Sequence, residues 1–307
     1  MIAPSYFTHS LFEEPWWLDL MAPDAWGECT VKQGDRILAR MPYSRGKGRF
    51  RGRALQMPLF TMSLGPWLAA SEAKYAKALG KQKDLMSELI AQLPPHEVFQ
   101  QNFHHSVTNW LPFYWKGFKQ TTAYTYVLQN LKDREFLWAN LLDNIRTDVR
   151  KAEKQLTICT DLPVAELLRL NRLTFSRQGI ESYYSDARLE TLAVGLEKLG
   201  MGKVFYAVDA QGRAHAAVLI VWDERSAFYL VGGSDPELRS SGAMSFVLWE
   251  AIRAAAEVTR EFNFHGSMLE PVERFFRAFG AIQTPYLRVS REVGLEKWAT
   301  GMKGILR

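Results

Sequence analysis

Three side chains in the C-terminal part of the sequence could hold or move a proton. His265 and Glu270 follow a short predicted strand at 262–264, and the glycine and serine between them allow the backbone to turn sharply. A histidine can take a proton near neutral pH, with an ordinary pKa of about 6.5. Tyr229 is a third candidate for a catalytic role. A lone histidine at a strand end is also often a structural hydrogen-bond partner, so both roles of His265 stay open.

A polar loop between a strand and a helix could hold an anionic or acyl donor. The run 228–231 is strand-like, Gly232-Gly233 breaks it, and a helix is predicted from Ala243 to about Val258. The free N–H groups and the positive dipole end of a helix N-terminus suit an anion. The predicted donor-binding residues are Arg239, Ser240, Ser241, Gly242 and Ala243. An ordinary helix start capped by one of the two serines explains the same residues.

Two basic patterns could contact phosphate. Arg146, Arg150 and Lys154 recur every four residues in a run predicted to be helical from Arg134 to Lys154, which places all three on one helix face. Basic residues also alternate from Arg45 to Arg53, which would put them on one side of an extended chain. Both patterns are compatible with binding to an RNA or a phosphorylated precursor. Both also fit a solvated surface.

A polar and aromatic connection separates two predicted helices, Val164 to Gln178 and Asp186 to Leu199. Tyr183 and Tyr184 lie within this connection and could line a cleft that binds an acceptor or an anion. The same residues could simply form the loop that precedes and caps the second helix. The sequence favours neither interpretation.

The composition is that of an ordinary globular protein. The chain has 307 residues, of which 47% are hydrophobic and 23% charged, enough for two domains with cores of their own. The formal charge of +5 is a mild excess that allows an anionic partner without requiring one. The two cysteines, Cys29 and Cys159, stand far apart in no metal-ligand pattern, so no metal is expected. No phosphate-binding Gly-Lys-Ser/Thr motif or Ser-His-Asp grouping is visible in the sequence, which gives kinase and hydrolase functions little support.

The sequence also bears on the compartment. The N-terminal residues lack a basic segment followed by an apolar one, as a secretory signal would have. No run of 18 apolar residues exists that could span a membrane. Together with the scarcity of cysteine, these features predict a cytoplasmic protein in a reducing environment.

The order of predicted elements indicates an α+β fold. In the C-terminal part, strands at 203–208, 214–222 and 227–231 form a meander, followed by a helix, a strand, a short helix and a last strand. The N-terminal part has strands at 28–32 and 36–41, a helix at 71–93 and a strand at 97–103. A strongly strand-like stretch near residue 120 marks the predicted boundary between domains 1–120 and 121–307.

Two motifs carry a resemblance to a known family. The run Phe262-Asn263-Phe264-His265-Gly266-Ser267, followed by 273–281 with its Phe-Phe-Arg-Ala-Phe-Gly-Ala, resembles the closing signature of Fem-type (FemAB-like) peptidyltransferases of the GNAT acyltransferase superfamily. The basic run 144–154 is similar to a second signature of these proteins. The resemblance is close over residues 120–290 and looser over 1–118, where Pro15-Trp16-Trp17-Leu18 and 55–67 carry it.

The resemblance implies two tandem GNAT-like (acyl-CoA N-acyltransferase-like) domains, with mixed, mostly antiparallel sheets flanked by helices and the donor site in the C-terminal domain. It implies an N-acyltransferase that moves an acyl or aminoacyl group from an activated donor to an amine. Acyl-CoA or aminoacyl-tRNA would serve as co-substrate, with no permanently bound cofactor. The acceptor would be a small molecule or a cell-envelope (cell-wall) precursor, and tRNA is a possible partner. A non-catalytic binding protein that retains the tandem fold is the alternative, and the oligomeric state stays open.

One position departs from the GNAT pattern. In that superfamily the donor loop reads Arg/Gln-x-x-Gly-x-Gly/Ala, which Arg239 and Gly242 match. Met244 stands where a small residue is expected, and its side chain would crowd a pyrophosphate. Fem-like proteins that use aminoacyl-tRNA have similarly altered loops. The sequence therefore leaves acyl-CoA and aminoacyl-tRNA open as donors.

Overall fold

The computed structural model describes residues 7–47, 53–179, 181–266 and 268–292. Arg49, Arg51 and Ser267, which belong to motifs noted in the sequence, lie outside these ranges. The described residues form two compact units, one of residues 124–284 and the other of 7–123 together with 285–292. Residues 285–292 thus lie with the N-terminal unit, whereas the predicted boundary near 120 assigned them to the C-terminal domain.

The elements follow each other along the chain. In the first part they are a 3-10 turn (Leu11–Glu13), α1 (Pro15–Met21), β1 (Trp26–Gln33), β2 (Arg36–Lys47), β3 (Arg53–Gln56), β4 (Trp67–Leu68), α2 (Tyr75–Gln92), β5 (Val98–Asn102), α3 (Leu111–Trp115) and β6 (Lys119–Leu128). They continue with α4 (Arg134–Asn140), α5 (Asp143–Ala152), β7 (Leu156–Cys159), α6 (Val164–Gln178), α7 (Asp186–Leu199), β8 (Gly202–Asp209), β9 (Ala214–Trp222) and β10 (Ser226–Ser234). The last are a second 3-10 turn (Arg239–Ser241), α8 (Ala243–Ala255), β11 (Glu261–Asn263), α9 (Glu270–Arg277) and β12 (Ile282–Glu292).

The N-terminal unit is a mixed sheet covered by a helix. β1 and β2 form the predicted antiparallel hairpin, β2 pairs antiparallel with β3, and β3 pairs parallel with β5. Residues 288–292 of β12 complete this sheet on the other edge of β5. Leu85 and Leu89 of α2 are buried against the sheet because they recur every four residues on one helix face. The helix predicted at 71–93 is therefore confirmed.

The C-terminal unit contains the predicted meander. Its strand order is β6-β11-β10-β9-β8-β7, in which β8, β9 and β10 are antiparallel neighbours and β10 pairs parallel with β11. The helix α8 is apolar on nearly all sides, and residues such as Val247, Leu248 and Ile252 are buried between the sheet and α5. The predicted helices α6 and α7 have the predicted bounds, and each ends at a left-handed glycine.

The two parallel strands β10 and β11 separate soon after they meet. They pair only over Ser226–Phe228 and Glu261–Asn263. β10 then continues along β9 with a bulge, since Tyr229 pairs with Ile220 and Val231 with the adjacent Leu219. Beyond Phe228 the edge of β10 that faced β11 no longer belongs to a ladder. This separation creates the space that holds the candidate site.

The helix α6 packs directly onto the free part of β10. A Cβ atom added at Gly233 would overlap the carbonyl carbon of Leu170 and lie 2.5 Å from the nitrogen of Asn171. The Asn171 side chain donates to the carbonyl of Gly232 (3.1 Å), and the backbone N–H of Ser234 donates to the hydroxyl of Thr174 (3.0 Å). Glycine at 233 thus lets helix and strand backbones touch, and the hydrogen bonds fix their relative position.

We expect Gly233→Ala to lower the free energy of unfolding by about 1–3 kcal/mol, because the added methyl group meets backbone atoms that have little room to move. Denaturant unfolding of the two proteins measures the difference. Gly80→Ala is the matched control, since a Cβ there would meet no atom within 4 Å inside α2. That exchange should raise stability by about 0.5–1 kcal/mol. A Gly233→Ala protein as stable as the wild type would contradict the close contact.

Candidate active site

A cavity of about 300 Å³ lies where β10 and β11 separate. Four segments of the C-terminal unit supply its walls: α6, the connection between α6 and α7, the free part of β10, and the chain from the end of β11 into α9. The described residues that line it are Asn171, Thr174, Phe175, Tyr183, Tyr184, Tyr229, Leu230, Val231, Gly232, Phe264, His265, Gly266, Leu269, Val272 and Phe276. The cavity therefore brings together four residues predicted from the sequence, Tyr183, Tyr184, Tyr229 and His265.

His265 is held in place by a tight turn after β11. His265 and Gly266 both have left-handed backbone angles, with φ of 63° and 60°. The Asn263 side-chain oxygen accepts from the N–H of His265 (2.9 Å) and from the hydroxyl of Thr125 (2.6 Å), which stabilises this turn. A Cβ atom at position 266 would overlap the carbonyl oxygen of Tyr124, so the sharp turn predicted there requires glycine.

The imidazole of His265 hydrogen-bonds to the backbone of Tyr229, and so it connects the two strands where their ladder has ended. Burial lowers the pKa of His265 from 6.5 to about 4. The side chain is therefore neutral at physiological pH. The sequence suggested titration near 6.5, and the pKa is lower because the ring is buried, which the sequence does not show.

The side chain of Tyr229 lies across Gly232. A Cβ atom at position 232 would overlap the Tyr229 hydroxyl and lie 2.9 Å from the terminal methyl of Met244. The Tyr229 ring packs edge-on against Phe276 with centroids 5.5 Å apart. Burial raises the pKa of Tyr229 well above its usual value of 10.0. Tyr229 therefore keeps its proton at neutral pH and can donate a hydrogen bond.

The two adjacent tyrosines have different roles. Tyr184 donates to the side-chain oxygen of Asn171 (3.0 Å), and the amide of Asn171 donates in turn to Gly232. Burial raises the pKa of Tyr184, so this hydroxyl also stays protonated. Tyr183 is 70% exposed and packs edge-on against Tyr184 with centroids 4.8 Å apart, at the rim of the cavity. Sequence reasoning missed Asn171, because nothing distinguishes it from the other polar residues of an amphipathic helix.

Glu270 does not belong to the cavity lining. It is the first residue of α9, is exposed, and pairs with Arg274 one turn later (2.5 Å). Its role as a proton carrier beside His265 was predicted from their closeness in sequence. The structure places the two side chains in different surroundings.

The five predicted donor-binding residues lie at the start of α8, away from the cavity lining. Gly242 caps the helix with φ of 79°, and a Cβ there would be 2.5 Å from the carbonyl oxygen of Asp148. The carboxylate of Asp148 accepts from the hydroxyl of Ser245 (3.0 Å), and Lys151 donates to the carbonyl of Ser240 (2.6 Å). Ser241 and Ala243 are buried, whereas Arg239 and Ser240 are exposed. α5 thus covers this helix start, and its carboxylate would repel a second anion.

Ser241 also takes part in a buried hydrogen-bond chain that the sequence did not reveal. Its hydroxyl lies 3.0 Å from Nδ1 of His215, whose Nε2 lies 3.1 Å from a carboxylate oxygen of Asp209. The grouping resembles a hydrolase triad in composition. Ser241 is only 7% exposed, and its hydroxyl donates to the carbonyl of Leu238 (2.7 Å), so this hydrogen-bond chain anchors the loop before α8. No sequence motif connects these three residues, so the sequence did not indicate that they would come together.

The predicted basic face belongs to α5. The helix predicted from 134 to 154 is divided into α4 and α5, with Leu142 extended and its N–H bonded to Ala278 (2.9 Å). Arg146 pairs with Asp143, and Arg150 lies over the ring of Trp138 at 5.6 Å. Lys154 is exposed just beyond the end of α5. These side chains lie outside the cavity lining, so anion binding by this face would concern a different part of the surface.

Two further observations concern metal binding and membrane-spanning helices. Across the described ranges, no cluster of three or more His, Cys, Asp or Glu side chains has the arrangement to hold a metal ion. Within the same ranges, no helix has the length and apolar character needed to cross a membrane.

Comparison with known proteins defines the class of this fold. Residues 139–275 match the family model of the acetyltransferase (GNAT) domain. This stretch contains α5 to α8 and most of the cavity lining. No curated protein matches the chain.

Solved structures extend the likeness to nearly the whole chain. The structure of FemX has a TM-score of 0.69 at 13% identity, covering 90% of this chain and 91% of that one. A tandem GNAT protein from the clavulanic acid biosynthesis pathway has a TM-score of 0.54 at 12% identity, covering 91% and 94%. The structure of L-PGS from Bacillus licheniformis has a TM-score of 0.53 at 9% identity, covering 93% and 94%. The tandem GNAT-like fold and the resemblance to Fem-type peptidyltransferases are thus confirmed.

The low pKa of His265 predicts a pH dependence of stability. Unfolded His265 takes up a proton near pH 6.5, whereas folded His265 does so only near 4. Stability should therefore fall as the pH is lowered from about 6.5 to about 4, because the unfolded state binds the extra proton. Measuring the free energy of unfolding of the wild type and of His265→Gln at several pH values isolates the contribution of His265. The free energy by which the wild type exceeds the variant should decrease as the pH is lowered from about 6.5 to about 4. A constant difference would contradict the low pKa.

Proposed function

We propose that this acyltransferase joins an amine to an acyl or aminoacyl group in the cavity between β10 and β11. The observation that carries the proposal is the separation of these strands, which opens a backbone edge beside neutral hydrogen-bonding side chains. Such a place can hold a reacting carbonyl and exclude water from it. The GNAT match over residues 139–275 supports the reaction class.

In the reaction the amine nitrogen attacks the carbonyl carbon of the donor and forms a new C–N bond. The bond from that carbon to the oxygen or sulfur of the leaving group breaks, and the leaving group keeps the electron pair. One amine proton ends on the leaving group. Negative charge develops on the carbonyl oxygen, and we assign its stabilisation to the backbone of Leu230–Gly232 and the hydroxyl of Tyr229, which line the cavity.

The cavity also affects the amine itself. An amine must lose its proton before it can attack, and a neutral, largely apolar site favours the uncharged form. His265, with a pKa of about 4, is a weak base at neutral pH and would only relay a proton that the attack has already made acidic. The rate should accordingly depend on the pKa of the bound amine. Glu270 has no role in this scheme.

For the donor we favour aminoacyl-tRNA over acyl-CoA. The helix start where a GNAT enzyme would place the coenzyme A pyrophosphate is covered by α5 and faces the carboxylate of Asp148. Met244 further crowds the neighbouring strand at Gly232. Acyl-CoA stays the second candidate, since the matched family model is that of an acetyltransferase. A small molecule or cell-envelope precursor as acceptor and a cytoplasmic location remain part of the proposal.

The donor can be tested by two direct assays. We expect transfer of labelled amino acid from a pool of aminoacyl-tRNA to an amine acceptor, and no heat of binding with acetyl-CoA or longer acyl-CoAs in titration calorimetry. Arg239→Ala should leave transfer from aminoacyl-tRNA unchanged. Thiol release from an acyl-CoA that falls tenfold or more in Arg239→Ala would instead establish acyl-CoA, since a lost charge-assisted contact costs about 1.5–3 kcal/mol.

Tyr229→Phe tests the placement of the reacting carbonyl. Loss of one donor to the developing oxyanion should reduce kcat by about 10²–10³-fold with little change in KM. Tyr114→Phe is a suitable control, because Tyr114 is 60% exposed in the N-terminal unit. Steady-state kinetics on both variants show whether the Tyr229 hydroxyl contributes to kcat. A kcat within a factor of about two of the wild type in Tyr229→Phe would remove this hydroxyl from the mechanism.

A further inference from the structure

The walls of the cavity carry no charge at neutral pH. Among the described lining residues there is no Asp, Glu, Lys or Arg, and His265 is neutral. One wall is formed by Phe264 and the α9 side chains Leu269, Val272 and Phe276. The rings of Phe264 and Phe276 pack with centroids 5.0 Å apart. A ligand group that lies against this wall meets apolar side chains.

The other wall is aromatic, and the polar groups of Asn171, Thr174 and Tyr184 are engaged within the protein. Phe175 packs edge-on against Tyr184, with centroids 5.9 Å apart. The hydroxyl of Tyr184 is bonded to Asn171, and the hydroxyl of Thr174 donates to Leu170 (3.0 Å) and accepts from Ser234. These hydrogen bonds orient the wall rather than a ligand, because the donors and acceptors are used within the protein.

The size of the cavity limits what can enter. An apolar cavity of about 150 Å³ suffices for one benzene molecule. The present cavity of about 300 Å³ therefore has room for one ring or branched chain together with the carbonyl and amine that react. That space is at the small end of ligand pockets and suits one side chain together with the reacting atoms.

Resting on the proposed acyl transfer, we infer that the cavity binds the side chain of the transferred group, and that this side chain is uncharged and apolar, about the size of a benzyl or isobutyl group. It lies between the α9 wall and the aromatic wall, with the carbonyl at the free edge of β10. A charged side chain would lose its hydration without gaining a partner. Specificity therefore comes as much from exclusion of charge as from apolar contact.

Leu269 offers a matched pair of variants. It lines the cavity, is 57% exposed, and occupies the N-cap position of α9, where both Asp and Asn are favourable. Leu269→Asp and Leu269→Asn differ only by one carboxylate at the rim. Both variants should fold, and circular dichroism checks that they do.

Binding of three small probes by titration calorimetry near neutral pH tests the inference without relying on turnover. The probes are N-acetyl-phenylalaninamide, N-acetyl-lysinamide and N-acetyl-glutamic acid amide, which share a backbone and differ in side-chain charge. The wild type and Leu269→Asn should bind the phenylalanine probe at least tenfold more tightly than either charged probe. Leu269→Asp should gain at least tenfold in affinity for the lysine probe relative to Leu269→Asn.

The outcomes separate this inference from the proposed function. A charged probe that binds the wild type as tightly as the phenylalanine probe overturns the inference, even when transfer is observed. Failure of all three probes to bind in the millimolar range overturns it as well. Selective binding of the phenylalanine probe without transfer from any donor would overturn the proposed acyl transfer and leave the preference of the cavity standing.

Discussion

The candidate site depends on the early separation of two parallel strands. A ladder of three residue pairs holds β10 to β11, and the imidazole of His265 then contacts the backbone of Tyr229 where the ladder has ended. The turn that delivers this imidazole is stabilised by Asn263 and requires the glycine at 266. The position of the His265 imidazole beside the opening therefore depends on this turn.

The regular elements could be predicted because local signals and packing agree. α6 and α7 have continuous helical patterns, and Gly179 and Gly200 end them in left-handed conformations. The break at Leu142 could not be predicted, since no proline or glycine marks it and the extended Leu142 donates its N–H to distant Ala278. Likewise, the order of the meander followed from alternating strands and polar turns, whereas the assignment of residues 285–292 depends on their pairing with β5.

Sequence reasoning found only part of the site. It named His265 because a histidine after a strand can accept a proton, Tyr183 and Tyr184 because they lie in a polar and aromatic connection, and Tyr229 as a further catalytic candidate. It could not show that Asp148, almost a hundred residues earlier, covers the start of α8, since that contact arises from the packing of two helices. Nor could it show the burial that makes His265 a weak base, because burial is a property of the assembled fold.

The contact between α6 and β10 at Gly233 and the exposed residues at the rim of the cavity differ in how much change they tolerate. At Gly233 two backbones touch, so most changes there threaten the whole unit. Tyr183 and Leu269 at the rim are 70% and 57% exposed, and substitutions at such positions cost little stability. Rim residues can therefore be exchanged at little cost in stability while the contact between α6 and β10 is kept. Related chains that keep this contact could bind different groups by exchanging a few rim residues.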